Sequence, residues 1–273
     1  MNIGDEIMSF ISSVLLFLDA KMETPEMYGW FHLMFWGFAI ISTLLLCRFM
    51  KPTEKNVNRM FTIMAITLIV LEVYKQVNYT FSVDGSIITS DYQWYAFPFQ
   101  FCDTPTYTLV LAAILRRGRV YKGLCAFTGT FALFAGISVM LYPSTVFTRT
   151  IGVNIHTMVW HASMIPVGLY LLWTGYVKTD HKTVLRAVPV FLTAVSIAAI
   201  MNEIAFRSGL LETDTFNMFY ISPYCDPHLP VYSIVQQYVP FPWCLGLYVL
   251  GFSAAAYIVL LIVMFIKKLA RTR

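Results

Sequence analysis

The sequence predicts an all-α membrane protein with seven transmembrane helices, and three observations support this fold class. Of the 273 residues, 58% are apolar and only 12% are charged, whereas a soluble globular protein carries about 25% charged residues. The mean hydropathy is +0.66. Seven apolar stretches are each long enough to cross a bilayer, which takes about 20 helical residues. We therefore expect one membrane domain over residues 27–273.

The predicted spans lie between residues 27 and 266. They are residues 27–50, 60–80, 94–115, 120–142, 155–177, 184–206 and 243–266. The longest connection, 207–242, is rich in Pro, Tyr and Asp, and we predict that it forms a cap. The N-terminal segment 1–26 contains the apolar run 7–18, which is too short to span. Because Asp5 and Glu6 stand where a signal peptide needs positive charge, this run predicts an interfacial helix.

The basic residues predict the orientation of the spans. All but four of the 19 Lys and Arg residues lie in the connections 48–59, 116–122 and 178–186 or in the tail 267–273. Basic loops remain on the cytoplasmic side of a membrane. We therefore expect the N-terminus outside and the C-terminus in the cytoplasm. The net charge of +4 follows from this topology, so we expect no nucleic-acid partner.

Polar side chains from four predicted spans fall at a similar depth in the outer half of the bilayer. If residues 94–115 form a continuous helix, Cys102 lies roughly 10 Å below Tyr95, and His161 lies roughly 9 Å below Ile155. The other members are Glu72 and Lys75 on the second span, Asp103 on the third, His156 at the rim of the fifth, and Asn202 and Glu203 on the sixth. Ionisable residues inside a membrane indicate a functional site, so we predict a polar cavity that opens outward.

Several of these residues have more than one interpretation. Glu72 and Lys75 share a helix face and either form an internal ion pair or hold a lipid head group. Asp103 has three candidate partners, which are Lys75, a histidine and a metal ion. Asn202 and Glu203 either hydrogen-bond to neighbouring helices or belong to the site.

Three kinds of chemistry fit this cluster. In the first, Cys102 is a nucleophile and His161 is its base. In the second, a metal is bound by members of a larger set, which comprises His156, His161, Glu203, Asp226 and His228. No HExxH motif is present, and a five-residue spacing splays the first two histidines about 140° apart, so we expect no metal and no cofactor. The third is a non-catalytic binding protein or transporter that uses the same cavity.

The remaining cysteines and small residues predict structural roles. Cys225 in the long outer connection and Cys244 in the last span are a candidate disulfide in an oxidising compartment. The spacing of Ala132 and Gly136 on the fourth span is typical of close helix packing.

Four short motifs carry a family resemblance. The segments are FPFQFCD at 97–103, WHA at 160–162, NMFY at 217–220 and VPFPW at 239–243. They resemble, in order, a Leu-Pro-Leu-His-Leu-Cys-Asp motif, a pair of histidines before a small residue, an Asn-Tyr-containing stretch, and Gly-Pro-Trp-Pro-Trp, which places Trp243 among the candidate site residues. In this order and spacing the chain resembles the YwaF-type bacterial integral membrane proteins, which are related to the transmembrane protein 164 family.

This resemblance implies a membrane-embedded lipid acyltransferase or lipid ester hydrolase in a bacterial plasma membrane, with membrane lipids as its partners. It implies an acyl thioester on Cys102 with His161 as the base. Gln100 or Asn202 would then donate a hydrogen bond to the oxyanion. The chain departs from the family pattern at two places, because Gln100 and Trp160 each stand where the motifs carry histidine.

Overall fold

A computed structural model describes residues 3–85, 87–211, 214–226, 229–241 and 243–271. The described helices are α1 Ile3–Leu18, α2 Trp30–Phe49, α3 Glu54–Asn78, α4 Thr104–Leu115, α5 Gly118–Phe127, α6 Leu133–Leu141, α7 Ile151–Trp173, α8 Lys182–Ser208, α9 Pro230–Tyr238 and α10 Trp243–Arg271. A π-helical turn joins α5 to α6 without a break in the helix. Between α3 and α4 a small antiparallel hairpin pairs β1 Phe81–Asp84 with β2 Ile87–Ser90.

Six of the described helical segments are long and apolar enough to cross a membrane. They are α2, α3, α5 with α6, α7, α8 and α10. The chain is therefore a multi-pass, all-helical membrane protein, as its composition predicts. The third predicted span is different, because its apolar helical part covers only Phe101–Leu115. The count of seven spans and the orientation from the charge pattern stay predictions.

The outer part of the third predicted span is not an α-helix. Trp94–Ala96 and Phe101–Asp103 each form a single tight turn, and α4 begins only at Thr104. Proline explains the interruption, since Pro98 has no backbone N–H to donate, and Pro105 fits only the first turn of a helix. The expectation of a continuous helix over 94–115 is therefore wrong, and Cys102 and Asp103 lie just before a helix instead of two turns inside one.

Helix α7 forms the centre of the bundle and packs tightly against α6. In its most apolar window 83% of the residues are buried. A Cβ atom added at Gly136 would lie 2.8 Å from the carbonyl oxygen of His161, and one added at Gly168 would lie 2.8 Å from Leu133 Cβ. These distances are too short for any side chain, so the two backbones approach directly. The packing role predicted for Ala132 and Gly136 is confirmed, since both are buried and Gly136 lies directly against α7.

The N-terminal segment is tied to the end of the bundle that carries the β-hairpin. Helix α1 begins at Ile3, four residues before the predicted apolar run. The Leu18 carbonyl oxygen at its end accepts hydrogen bonds from Tyr74 Oη at 2.7 Å and from Asn78 Nδ2 at 3.4 Å. The backbone N–H of Met22 donates to the carbonyl of Arg149 at 2.7 Å. These bonds fix α1 against α3 and the start of α7.

The connection that follows α8 folds back into the bundle. Met218 and Phe219 are fully buried, although they belong to the longest predicted loop. Phe219 and Tyr220 have left-handed backbone conformations with φ values of 59° and 55°. Side chains other than Asn and Asp adopt this conformation at a cost, so the surrounding contacts must hold the segment in place.

Candidate functional site

The Cys102–Asp103 turn is the centre of the candidate site, and local hydrogen bonds shape it. The Asp103 carboxylate accepts a hydrogen bond from the backbone N–H of Gln100 at 2.7 Å. Asp103 also stands directly before α4, where the positive end of the helix dipole favours a negative charge. The Cys102 thiol is half-buried, and its Sγ lies 3.9 Å from Asp103 Oδ1. The carboxylate therefore organises the turn that presents the thiol.

Helix α3 contributes a charged cluster on one face. Lys75 Nζ lies 2.9 Å from Glu72 Oε1, and Gln76 Nε2 donates to the same oxygen at 2.6 Å. Lys75 also interacts electrostatically with Asp103 and Cys102. Lys75 is thus the ion-pair partner of Glu72, and within the described residues it makes no ion pair with Asp103.

Helix α7 brings two aromatic side chains to this cluster. His156 is buried, and its Nε2 lies 3.4 Å from Glu72 Oε2, an ion-pair distance without hydrogen-bond alignment. Trp160 packs beside His156 with 5.0 Å between ring centroids. Its indole N–H donates to the carbonyl oxygen of Cys102 at 2.7 Å. Trp160, at one of the two departures from the family motifs, therefore joins α7 directly to the Cys102 turn.

His161 lies one residue further along α7, and its tautomer follows from its single hydrogen bond. His161 Nδ1 lies 2.7 Å from the carbonyl oxygen of Thr157. A carbonyl oxygen only accepts, so Nδ1 carries the proton and Nε2 carries the lone pair. Nε2 is buried and has no hydrogen-bond partner. The ring therefore keeps an unused basic nitrogen in the interior of the bundle.

Gln100 and Asn202 both hold the buried loop segment. Gln100 Nε2 donates to the carbonyl of Asn217 at 2.9 Å, and its Oε1 accepts from the Phe219 N–H at 2.8 Å. Asn202 bonds both backbone groups of Met218, donating at 3.0 Å and accepting at 2.7 Å. Each amide was predicted as an oxyanion donor, but its acceptor and one of its two N–H groups are engaged with the loop.

Two of the predicted site residues lie away from the cluster. Glu203 is next to Asn202 in sequence but turns to the surface, where it pairs with Arg207 and accepts from Tyr224 Oη at 2.8 Å. Trp243 is 76% exposed at the start of α10. Neighbouring residues on a helix point about 100° apart, so the buried position of Asn202 places Glu203 outside.

A cavity of about 360 Å³ adjoins the cluster between α3 and α4. Its polar lining consists of Glu72, Gln76, Thr80, Asp103, Thr106, Tyr107 and Trp160, and its apolar lining consists of Ile69, Val73, Val77, Phe81 and Pro98. Cys102 and His161 are outside this set, but each is the sequence neighbour of a lining residue. The predicted polar cavity therefore has a carboxylate-rich wall and an apolar wall.

Several buried polar atoms of this region have no hydrogen-bond partner. They are Glu72 Oε2, Thr106 Oγ1, both ring nitrogens of His156, and His161 Nε2. Buried polar groups in folded proteins are nearly always paired, and exceptions cluster at functional sites. The concentration of such atoms around one cavity therefore indicates a place built for a polar ligand or a reaction.

The structure also bears on the candidate disulfide between Cys225 and Cys244 and on the candidate metal ligands. Cys225 and Cys244 are free thiols, and Cys225 Sγ lies 3.6 Å from the carbonyl of Phe216. Partial burial raises the pKa of the Cys225 thiol. Among the described residues, no three His, Cys, Asp or Glu side chains lie close enough to hold a metal ion. His228, one of the candidate ligands, lies outside the described residues.

Three residues that were not predicted as site residues also contribute to the site. Thr106 and Tyr107 line the cavity one turn after Asp103, and Asn217 carries a buried, unpartnered Nδ2 in the loop. The helical spacing from Asp103 is the signal that identifies the first two. Asn217 belongs to the NMFY motif at 217–220, but the motif does not show its burial, which depends on how the loop folds back.

The model of the TMEM164 family matches residues 27–266. This match covers most of the chain and includes every described element of the site. No curated protein and no solved structure matches the chain significantly. The narrower resemblance to YwaF-type proteins stays a prediction.

Proposed function

Because the chain belongs to the TMEM164 family, we propose that it is a membrane-embedded lipid acyltransferase or lipid ester hydrolase of the plasma membrane. Cys102 is the nucleophile and His161 is the base. The observation that carries this proposal is the free, buried Nε2 of His161, because a general base needs a lone pair that no other group occupies.

The surroundings of Cys102 support its role as a nucleophile. A thiol needs a nearby cation or base to react as a thiolate, and Lys75 interacts electrostatically with Cys102, Asp103 and His161. The Trp160 hydrogen bond holds the helix that carries His161 against the Cys102 turn. Lys75 is therefore the cation that would stabilise the developing thiolate.

The proposed reaction has two balanced steps. His161 Nε2 takes the Cys102 proton, Sγ bonds to the ester carbonyl carbon, and the carbon–oxygen bond to the lipid alcohol breaks. The alcohol leaves with the proton that His161 returns, and an acyl thioester remains. In the second step a lipid hydroxyl or a water molecule loses its proton to His161, and its oxygen bonds to the thioester carbonyl carbon. The carbon–sulfur bond breaks, the new ester or the fatty acid leaves, and His161 returns the proton to the Cys102 sulfur. The unused N–H of Gln100 and the Lys75 ammonium are the donors for the oxyanion.

The apolar wall of the cavity suggests how a lipid reaches the site. Ile69 and Val73 are 44% and 59% exposed on a helix predicted to face lipid, and both line the cavity. An acyl chain can therefore lie along this wall of α3 while its ester group meets the polar wall. The lipid would enter laterally from the bilayer, so it would not have to pass through the aqueous phase.

The test is acyl transfer from a phosphatidylcholine with a fluorescent acyl chain, with purified protein in nanodiscs. We expect a labelled protein band that neutral hydroxylamine removes, as it cleaves thioesters. Cys102→Ser should abolish the band, and His161→Ala should slow its formation at least about 100-fold. Cys47→Ser is the matched control and should label like the wild type. Equal labelling in the His161→Ala and wild-type proteins would rule out His161 as the base.

A second candidate function is the non-catalytic binding or transport of a lipid with a cationic head group. One observation favours it, since Glu72 and Asp103 line the cavity whereas Cys102 and His161 do not. In that case the wild type forms no acyl-enzyme, Cys102→Ser binds the fluorescent lipid unchanged, and Asp103→Asn weakens binding. Turnover that disappears with Cys102→Ser would exclude this alternative.

A further inference from the structure

A second cavity, of about 400 Å³, lies at the other end of α4 from the candidate site. Its charged lining consists of Arg116, Arg117, Lys122, Lys178 and Arg186 together with the carboxylate of Glu54. These residues come from the α4–α5 turn, helix α5, the α7–α8 connection, the start of α8 and the first turn of α3. Chain segments distant in sequence thus converge on one cavity with five basic residues and one acidic residue.

Ion pairs within the described residues leave most of this positive charge uncompensated. Arg186 Nη1 lies 3.5 Å from Asp180 Oδ1. Arg116 uses its Nε–H for the carbonyl of Ala113 at 3.2 Å. Across the described part of the chain, the side chains of Arg117, Lys122 and Lys178 make no ion pair or hydrogen bond, so their donors are available to a ligand.

The backbone around this cavity adds further donors. Arg116 and Gly118 adopt left-handed conformations, with φ values of 57° and 99°, which turn the chain sharply into α5. No side chain caps α5 at Arg117, so the first N–H groups of a ten-residue helix are free beside the cavity. The Tyr121 and Tyr176 hydroxyls, 2.5 Å apart, and the buried Cys125 also line it.

Membrane topology alone accounts for the positive charge but not for its arrangement. Lys51 and Lys55 lie on the same predicted cytoplasmic side, are exposed, and do not line this cavity. If the charge served only to orient the protein, the basic residues would need no common cavity, no tyrosine lining and no helix N-terminus. Arginine and lysine around a concave site with free backbone N–H groups are the usual recognition set for phosphate.

We propose that this cavity binds a phosphate-bearing anion, either the head group of an anionic lipid or a soluble phosphorylated compound. Five basic side chains against one carboxylate favour a group with at least two negative charges. The apolar lining residues Val177 and Ala126 adjoin the predicted inner membrane surface, where both sources are within reach. The site is separate from the acyl-transfer chemistry and does not depend on it.

The test compares two probes on the full-length protein. Inorganic pyrophosphate represents the soluble source and is titrated into detergent-solubilised protein by calorimetry. Phosphatidic acid represents the lipid source and is measured by native mass spectrometry after reconstitution in phosphatidylcholine nanodiscs. Binding of pyrophosphate identifies a soluble ligand, whereas binding of phosphatidic acid without pyrophosphate identifies a lipid head group.

Matched variants locate the binding. The double variant Arg117→Gln with Lys122→Gln removes two positive charges from the cavity. It should lower the affinity for the probe that binds by at least about tenfold. Lys51→Gln with Lys55→Gln removes the same charge elsewhere and should change affinity less than about twofold. If the first pair fails to fold, Lys178→Gln replaces it. Equal losses in cavity and control variants, or no binding of either probe, would overturn the proposal.

Discussion

Helix α7 makes two contacts that are built in opposite ways. Toward α6 it packs backbone against backbone at Gly136 and Gly168, with no room for a side chain. Toward α3 and the Cys102 turn it presents His156 and Trp160, and polar atoms remain unpartnered there. The first contact leaves nothing free, so it positions the helix, whereas the second retains hydrogen-bonding capacity that a substrate can use.

His161 belongs to both contacts, which is why the comparison matters for function. Its carbonyl oxygen faces Gly136 in the tight contact, while its ring keeps a free Nε2 in the interior. Rigid support of a functional side chain improves its positioning. The glycine contact therefore fixes the backbone from which the proposed base acts.

Removal of the cation from the polar contact should have the largest effect on stability. Lys75→Met leaves the Glu72 carboxylate without its ion-pair partner, and breaking a buried ion pair costs roughly 3–5 kcal/mol. We expect this loss in chemical unfolding in mixed micelles. The double variant with Glu72→Leu should recover part of it, because one unpaired charge is then gone. A Lys75→Met protein as stable as the wild type would show that the Glu72 carboxylate does not depend on this lysine.

Filling the tight contact should rank second. Gly136→Leu places a side chain against the His161 carbonyl and Met164 Cβ, and overpacking a well-packed interior costs about 3 kcal/mol. The same unfolding measurement applies. Gly251→Leu is the control, since a Cβ added at Gly251 meets no atom within 4 Å. Equal stability of the two variants would mean that α6 and α7 separate easily.

Releasing the buried loop should cost less. Asn202→Leu removes both hydrogen bonds to Met218 and leaves a buried N–H and a buried C=O unsatisfied, at about 2 kcal/mol in total. We expect faster proteolysis within the loop after α8 before the bundle unfolds. Unchanged protease resistance would indicate that Gln100 holds the segment without help.

The smallest effect is expected at the surface. Glu203→Gln weakens a pair with Arg207 that lies in solvent-exposed surroundings, where ion pairs contribute little. Neither the unfolding midpoint nor the rate of acyl-enzyme formation should change measurably. A clear loss of activity in this variant would contradict the conclusion that Glu203 lies outside the site.

Much of the fold follows from the sequence, because hydropathy and length determine which segments can span a membrane. Six predicted spans occur as helices with ends shifted by a few residues. The prediction of the third span is wrong over its outer part. The apolar composition there is typical of a membrane-spanning helix, but Pro98 and Pro105 prevent a continuous helix.

The candidate site was predictable only in part. Helical spacing predicted that Glu72 and Lys75 share a helix face, and their side chains form an ion pair in the structure. The sequence does not predict the hydrogen bonds of Gln100 and Trp160, because the partner of each is a backbone group in a segment far away in sequence. The outward turn of Glu203 was missed for a related reason, since depth along a helix gives no information about direction around it.

The bonds made by Gln100 and Trp160 have a consequence for how the protein responds to acidity. An amide and an indole neither gain nor lose a proton between about pH 4 and pH 9. This is roughly the range in which carboxylates, histidines and thiols titrate. The bonds by which Gln100 holds the loop and Trp160 holds the Cys102 turn therefore do not depend on pH.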